Sequence, residues 1–139
     1  MKTPLLLLPL LLAVTPAWAA DLVVTVEGVR SEAGKIRAGI FDSAEAWLNA
    51  GKALASVDVK ATAPRTVLAF ENLAPGRYAV AFYHDENGNQ KHDRNLLGFP
   101  TEGFGFTRDP TMVLSAPAFA QCTIEVPAEG AAVTIHAKY

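Results

Sequence analysis

Apolar and polar residues alternate with a period of two along most of the chain, the signature of strands with one buried face. Leu22, Val24 and Val26 share one side, with Val23, Thr25 and Glu27 opposite. Ile36, Ala38 and Ile40 alternate with Arg37, Gly39 and Phe41, and the turn-rich Arg30–Gly34 between the two runs predicts a hairpin. Asp42 to Ala50 predicts the one short helix. Asp42 would cap it, Glu45 would stand at the third helical position and Gly51 would end it, with Trp47 and Leu48 packing on the sheet edge. Strand patterns resume at Ala53–Val59, Thr66–Glu71 and Arg77–His84. In the last of these Tyr78, Val80, Phe82 and His84 share a face. Two more strands close the chain, with Cys122, Ile124 and Val126 on one face of the first and Val133, Ile135 and Ala137 on one face of the second. Pro127–Gly130 turns between them. About seven short strands punctuated by turns, one short helix and one long loop predict a single all-β sandwich.

The exception is Asp85 to about Pro110, DENGNQKHDRNLLGFPTEGFGFTRDP, where alternation lapses. Structureless loops of this length are uncommon in compact domains and usually functional or disordered. Leu96, Leu97, Phe99, Phe104 and Phe106 are too apolar for disorder, so the sequence predicts an ordered loop, its phenylalanines tucked against the sandwich end if no ion holds it.

Two physical accounts could order it. Asp85, Asn87, Asn89 and Asp93 occupy relative positions 1, 3, 5 and 9, the spacing with which an oxygen-rich loop turns alternate residues toward a calcium ion. The Lys91 carbonyl would fall at position 7, and Glu102 or Asn95 could donate from further along. The match is partial, because Gln90 replaces glycine at position 6 and Leu96 replaces glutamate at position 12. With so few carboxylates the affinity would be weak, on the order of 10⁻⁴–10⁻³ M. In the other account Asp and Asn side chains bond their own backbone two residues on and build the turns without an ion. Both accounts stay open on the sequence.

The first nineteen residues change the picture of where the chain works. Lys2, the apolar Leu5–Leu8 and Leu10–Val14, and the small-x-small Ala17-Trp18-Ala19 form a secretory signal, residues 1–19, cleaved between Ala19 and Ala20. The run is short of the roughly 20 residues that span a bilayer. Residues 20–139 then form a single domain, periplasmic or secreted, with no stable membrane insertion. Losing Lys2 takes the formal charge from −2 to −3, and no Lys/Arg cluster exists to neutralise phosphates, which excludes nucleic acid. One cysteine excludes an internal disulfide framework and a thiolate zinc cluster. Cys122 reads as a small buried apolar residue with an inert thiol.

Other chemistry is thinner. His84 and His92 flank the loop and, with Asp85 or Asp93, could hold zinc or copper, but no third strong ligand accompanies them. Glu86, Glu102 and His84 could serve a hydrolase if they met in a pocket. Gly103-Phe104-Gly105 lies outside any strand-to-helix turn and is no phosphate cradle.

Phe70-Glu71-Asn72-Leu73-Ala74-Pro75-Gly76-Arg77-Tyr78 runs into His84-Asp85-Glu86-Asn87-Gly88-Asn89, followed by Gly98-Phe99-Pro100 and Glu102-Gly103-Phe104-Gly105-Phe106. This series resembles the exported bacterial family called domain of unknown function 2141, across nearly all of residues 20–139. Gln90 and the run Thr107-Arg108-Asp109 depart from the family's pattern. The resemblance implies a prealbumin-like sandwich, the fold type of transthyretin, but no established reaction. Transthyretin-related hydrolases end in Tyr-Arg-Gly-Ser, whereas this chain ends His136-Ala137-Lys138-Tyr139, so that activity is not carried over. The expectation is an exported, non-enzymatic binding or structural module of the cell envelope, with calcium as the one cofactor to consider. Its partner would be an envelope protein or a small ligand. A small-molecule hydrolase and a protein–protein module presenting Phe104 and Phe106 or a sheet edge are the alternatives.

Overall fold

The computed structural model describes residues 19–139, so the export segment proposed over residues 1–19 lies, but for Ala19, outside the described residues. Eight strands run β1 (Ala20–Glu27), β2 (Lys35–Phe41), β3 (Ala55–Lys60), β4 (Arg65–Leu73), β5 (Gly76–Asp85), β6 (Phe104–Phe106), β7 (Ile124–Val126) and β8 (Ala131–His136). They form two sheets, one in the order β4-β1-β8 and one in the order β3-β2-β5-β6, with β7 also on β5. The core is what the alternation predicted. Leu22, Val24 and Val26 of β1 meet Ile36, Ala38 and Ile40 of β2, Leu68 and Phe70 of β4, and Tyr78, Val80 and Phe82 of β5. This is the expected all-β sandwich.

Three expectations are corrected. β1 and β2 are not a hairpin: β1 pairs with β4 and β8, while β2 pairs with β3 and β5 in the other sheet. Both strands need one face in the core, and placing them in opposing layers satisfies that as well as pairing them would. Asp42–Ala50 is not an α-helix but a series of turns, followed by a 3₁₀ turn at Ala50–Lys52. Its indole supplies the reason. Trp47 packs edge-on to Phe41 with ring centroids 5.3 Å apart, touches Phe106 and Phe119, and donates to the Pro117 carbonyl at 2.8 Å. Tertiary anchoring of one large ring outweighs a weak local helix preference. The short helix is instead α1 (Phe119–Cys122), which takes Cys122 out of the expected strand.

The third correction falls on the loop. Phe104 and Phe106 belong to β6, half-buried, whereas Phe99 is exposed rather than tucked in, as are its neighbours Leu96 and Leu97. β5 is long enough to serve two partners along one edge. Gly76–Tyr78 pair with β7 and Ala81–Tyr83 with β6. Thr107 fills the gap between them: its N–H donates to the Val80 carbonyl at 3.0 Å, and its hydroxyl donates to the Cys122 carbonyl at 2.5 Å. Beyond β8, Lys138 bridges to Phe104, carrying the chain from one sheet to the other and bringing Tyr139 to the end of the sandwich where β5 finishes.

Candidate binding groove and the polar clasp beside it

Two sites lie side by side: a buried polar clasp at the end of β5, and an apolar groove on the outer face of the sheet that β5 belongs to.

The clasp begins with His84, on the buried face of β5 as its parity dictates and fully buried. Its Nε2 lies 2.7 Å from the Ala33 carbonyl, which can only accept, so the ring proton sits there. Nδ1 then accepts from the Tyr139 hydroxyl at 2.8 Å, and that hydroxyl in turn accepts from the Arg30 N–H at 3.2 Å. The Arg30 guanidinium lies 4.3 Å above the Tyr139 ring and binds Glu86, Nη2 to Oε1 at 2.5 Å. Ser31 donates to the other oxygen of Glu86 at 2.9 Å. The hydrogen bond from Arg30 holds the Glu86 carboxyl below its ordinary range, against partial burial, with Ser31 helping. Gly34 belongs here by necessity. Its φ is +68°, and a Cβ at that position would lie 1.8 Å from the Asp85 carbonyl oxygen.

Asp85 is fully buried. Burial would raise its pKa, but the hydrogen bond from Arg37 Nε at 2.7 Å and the Gln90 N–H at 2.9 Å outweigh it, and the carboxyl sits below its ordinary range. Both contacts fall on Oδ2. Oδ1 is buried and has no hydrogen-bond partner among the described residues. Arg37 also binds Asp58 across the β2–β3 pair.

The expected loop residues do come together. Glu102 is buried, and its carboxylate accepts the N–H groups of Glu86 and Asp93, each at 3.1 Å, stapling the loop's ends. Asp93 accepts the amide of Asn87 at 2.6 Å and that of Asn89 at 2.8 Å. The carbonyl oxygens of Asn87 and Asn89 accept from the N–H groups two residues on, at 3.1 and 2.9 Å. Gln90 takes φ +62°, the left-handed conformation that position 6 of a calcium loop assigns to glycine. The side chains of Asn87, Asn89 and Asp93 thus close on each other, and one carboxylate oxygen of Asp85 is left over. Among the described residues no group of three or more His, Cys, Asp and Glu side chains is placed to hold a metal. For zinc or copper the reason is plain: His84 spends both nitrogens inside the clasp, and His92 lies 3.2 Å from the Glu102 carbonyl.

His84, Glu86 and Glu102 share this end, yet none of them lines the groove. Cys122 is buried with its thiol pushed up to about 11 by burial, which makes it inert at neutral pH.

The groove has a volume of about 820 Å³. Its floor follows from register. Asp58, Arg37, Tyr83 and Phe104 stand in one cross-strand row, and Ser56, Gly39, Ala81 and Phe106 in the next. Small residues in the second row leave a trough. Aromatic rings edge it, with His92 stacked on Tyr83 at 5.6 Å and packed against Phe104 at 5.5 Å. One wall is a small loop closed at its base by the Arg94–Pro100 bridge and braced by Asn95, whose side-chain oxygen accepts from Leu97 and Phe99. Leu97 and Phe99 of this loop line the groove at 82% and 62% exposure. A second wall carries Met112, Val113 and Leu114, with Val113 and Leu114 nearly fully exposed. The sequence pattern did not single out this second wall. Its apolar residues, following a proline and lacking alternation, were the available signal.

No curated protein and no solved structure matches the chain, so the sandwich stands without a structural neighbour to name it prealbumin-like. A family model described as "Uncharacterized protein conserved in bacteria (DUF2141)" matches residues 24–135, most of the sequence, and the chain belongs to that family.

Proposed function

We propose that this chain is an exported, non-enzymatic binding module of the cell envelope, and that its binding site is the groove on the outer face of the β3-β2-β5-β6 sheet. The observation that carries this is the pair of apolar walls. Soluble proteins seldom leave Leu97, Phe99, Val113 and Leu114 exposed around one concavity without use for it, and the volume falls within the range of small-molecule pockets. The signal-like segment at residues 1–19 supports export. The hydrolase alternative has less behind it, because His84, Glu86 and Glu102 are each committed to structural hydrogen bonds and do not line the groove. A neutral environment-sensitive dye such as Nile red tests the reading. Saturable binding at one dye per chain, weakened by Ala81→Leu in the trough, is the expected result. A folded protein that binds no dye overturns it.

A second reading has its own observation. The spare buried oxygen of Asp85, in a loop with Gln90 turned as a calcium loop turns at position 6, supports a weak calcium site. Asp85, Asn87, Asn89, the Lys91 carbonyl and Asp93 would hold the ion, with Glu102 stapling the loop behind them. Calcium would supply charge neutralisation and rigidity, not chemistry. At tenfold excess over its dissociation constant the ion would add about 1.4 kcal/mol of stability. Calorimetry and thermal melting at millimolar calcium decide it. Titratable heat and a raised melting temperature, both lost in Asp93→Asn, are expected, and neither appearing defeats the calcium reading.

A further inference from the structure

The groove is not uniform from end to end, and its gradient names a ligand. Along β2 the floor passes from Arg37 through Gly39 to Phe41, a run of about 13 Å at the usual rise per strand residue. At the Arg37 end stand Asp58 and Tyr83, with His92 stacked on Tyr83, and Arg94 lines the groove from the loop that carries Leu97 and Phe99. Toward Phe41 the lining is Leu48, Phe106 and the Met112–Leu114 wall. Charge separates the two arginines. Arg37 is neutralised twice, by Asp85 and Asp58. Arg94 is exposed, donates only to the Gly98 carbonyl at 2.9 Å, and has no carboxylate within ion-pair distance among the described residues. Arg94 is therefore the one cation lining the groove with no carboxylate partner among the described residues, beside a trough with apolar walls.

We infer that the groove binds a single-chain anionic amphiphile, such as a free long-chain carboxylate, with its head at Arg94 and its tail along the Gly39–Ala81 trough between the two walls. An anionic head complements Arg94, and a concavity lined by small side chains and apolar walls suits one apolar chain better than a bilayer surface. A second copy of the protein fits less well, since a two-fold contact would set one concavity against another. The inference rests on the reading of the groove as a binding site, and not on calcium.

The test is displacement of Nile red from the full-length mature protein by dodecanoate, dodecanol and dodecylammonium, each below its micellar range. A chelator is present because calcium precipitates long-chain carboxylates. Dodecanoate should bind about fivefold tighter than the alcohol, and more than about tenfold tighter than the ammonium, as expected for one partly exposed ion pair and its reversal. Arg94→Gln, on an exposed side chain that holds only a local carbonyl, should bring the three within about twofold while leaving the melting temperature unchanged. Ala81→Leu should weaken all three. Equal binding of the three by the unaltered protein, or an Arg94→Gln variant that keeps the preference for dodecanoate, overturns the inference while the module reading stands. No dye binding at all defeats both. Sedimentation showing a dimer that Leu97→Asp dissolves would assign the groove to a second copy instead.

Discussion

The clasp and the groove wall are made from one continuous stretch of chain, yet they are held in opposite ways. From Asp85 to Asp93 almost every polar group has an internal partner, and the two carboxylates that organise the segment, Asp85 and Glu102, are buried. From Arg94 to Pro100 the loop bonds to itself and leaves Leu96, Leu97 and Phe99 in water. The difference separates a segment held by internal polar pairs from a surface left open to solvent. Buried polar groups cost free energy unless each is paired, so a region built from them tolerates few changes. Exposed apolar side chains make few contacts to lose.

The contrast can be broken most forcefully at the backbone. Gly34→Ala combines a positive φ with a Cβ inside the Asp85 carbonyl, and should destabilise by about 3–4 kcal/mol, read as a fall in the urea midpoint without a change in slope. Asp85→Ala comes next. It strands Arg37 with Asp58 alone and strips the loop of its anchor at Gln90, at about 3 kcal/mol, while Asp85→Asn, keeping the shape, should cost clearly less.

A smaller effect is set by pH. Glu86 and Asp85 both titrate below their ordinary range in the folded chain. The stability they contribute is therefore fully present above about pH 4, where unfolded carboxyls ionise, and is lost as pH falls through their lower folded values. Melting temperature between pH 7 and pH 2 should drop more steeply for the unaltered protein than for Glu86→Gln. Parallel curves would mean that the Arg30–Glu86 pair contributes nothing measurable. Least of all should the wall matter to the fold: Leu96→Ser or Leu97→Ser should shift stability by no more than about 0.5 kcal/mol, and a larger loss would show that the wall packs more firmly than its exposure indicates.

Period-two alternation was enough to find the strands other than β6 and to turn His84 inward with Tyr78, Val80 and Phe82. That information is local, because side-chain direction in a strand follows from parity alone. The spacing of Asn87, Asn89 and Asp93 likewise matches a turn in which these three side chains meet, since turn geometry over a few residues is also local. What parity cannot carry is which strand lies beside which. β1 and β2 went to different sheets, and Asp42–Ala50 gave up its helix to a tryptophan contact with residues far along the chain. The clasp itself joins Arg30, Ala33, His84 and Tyr139 across more than a hundred positions. The groove exists only because register sets Gly39 against Ala81 and two distant loops flank them. Pattern along a chain records which side each residue must hide. Partners brought together by packing depend on the free energy of the whole assembly, and that was decided only in the folded molecule.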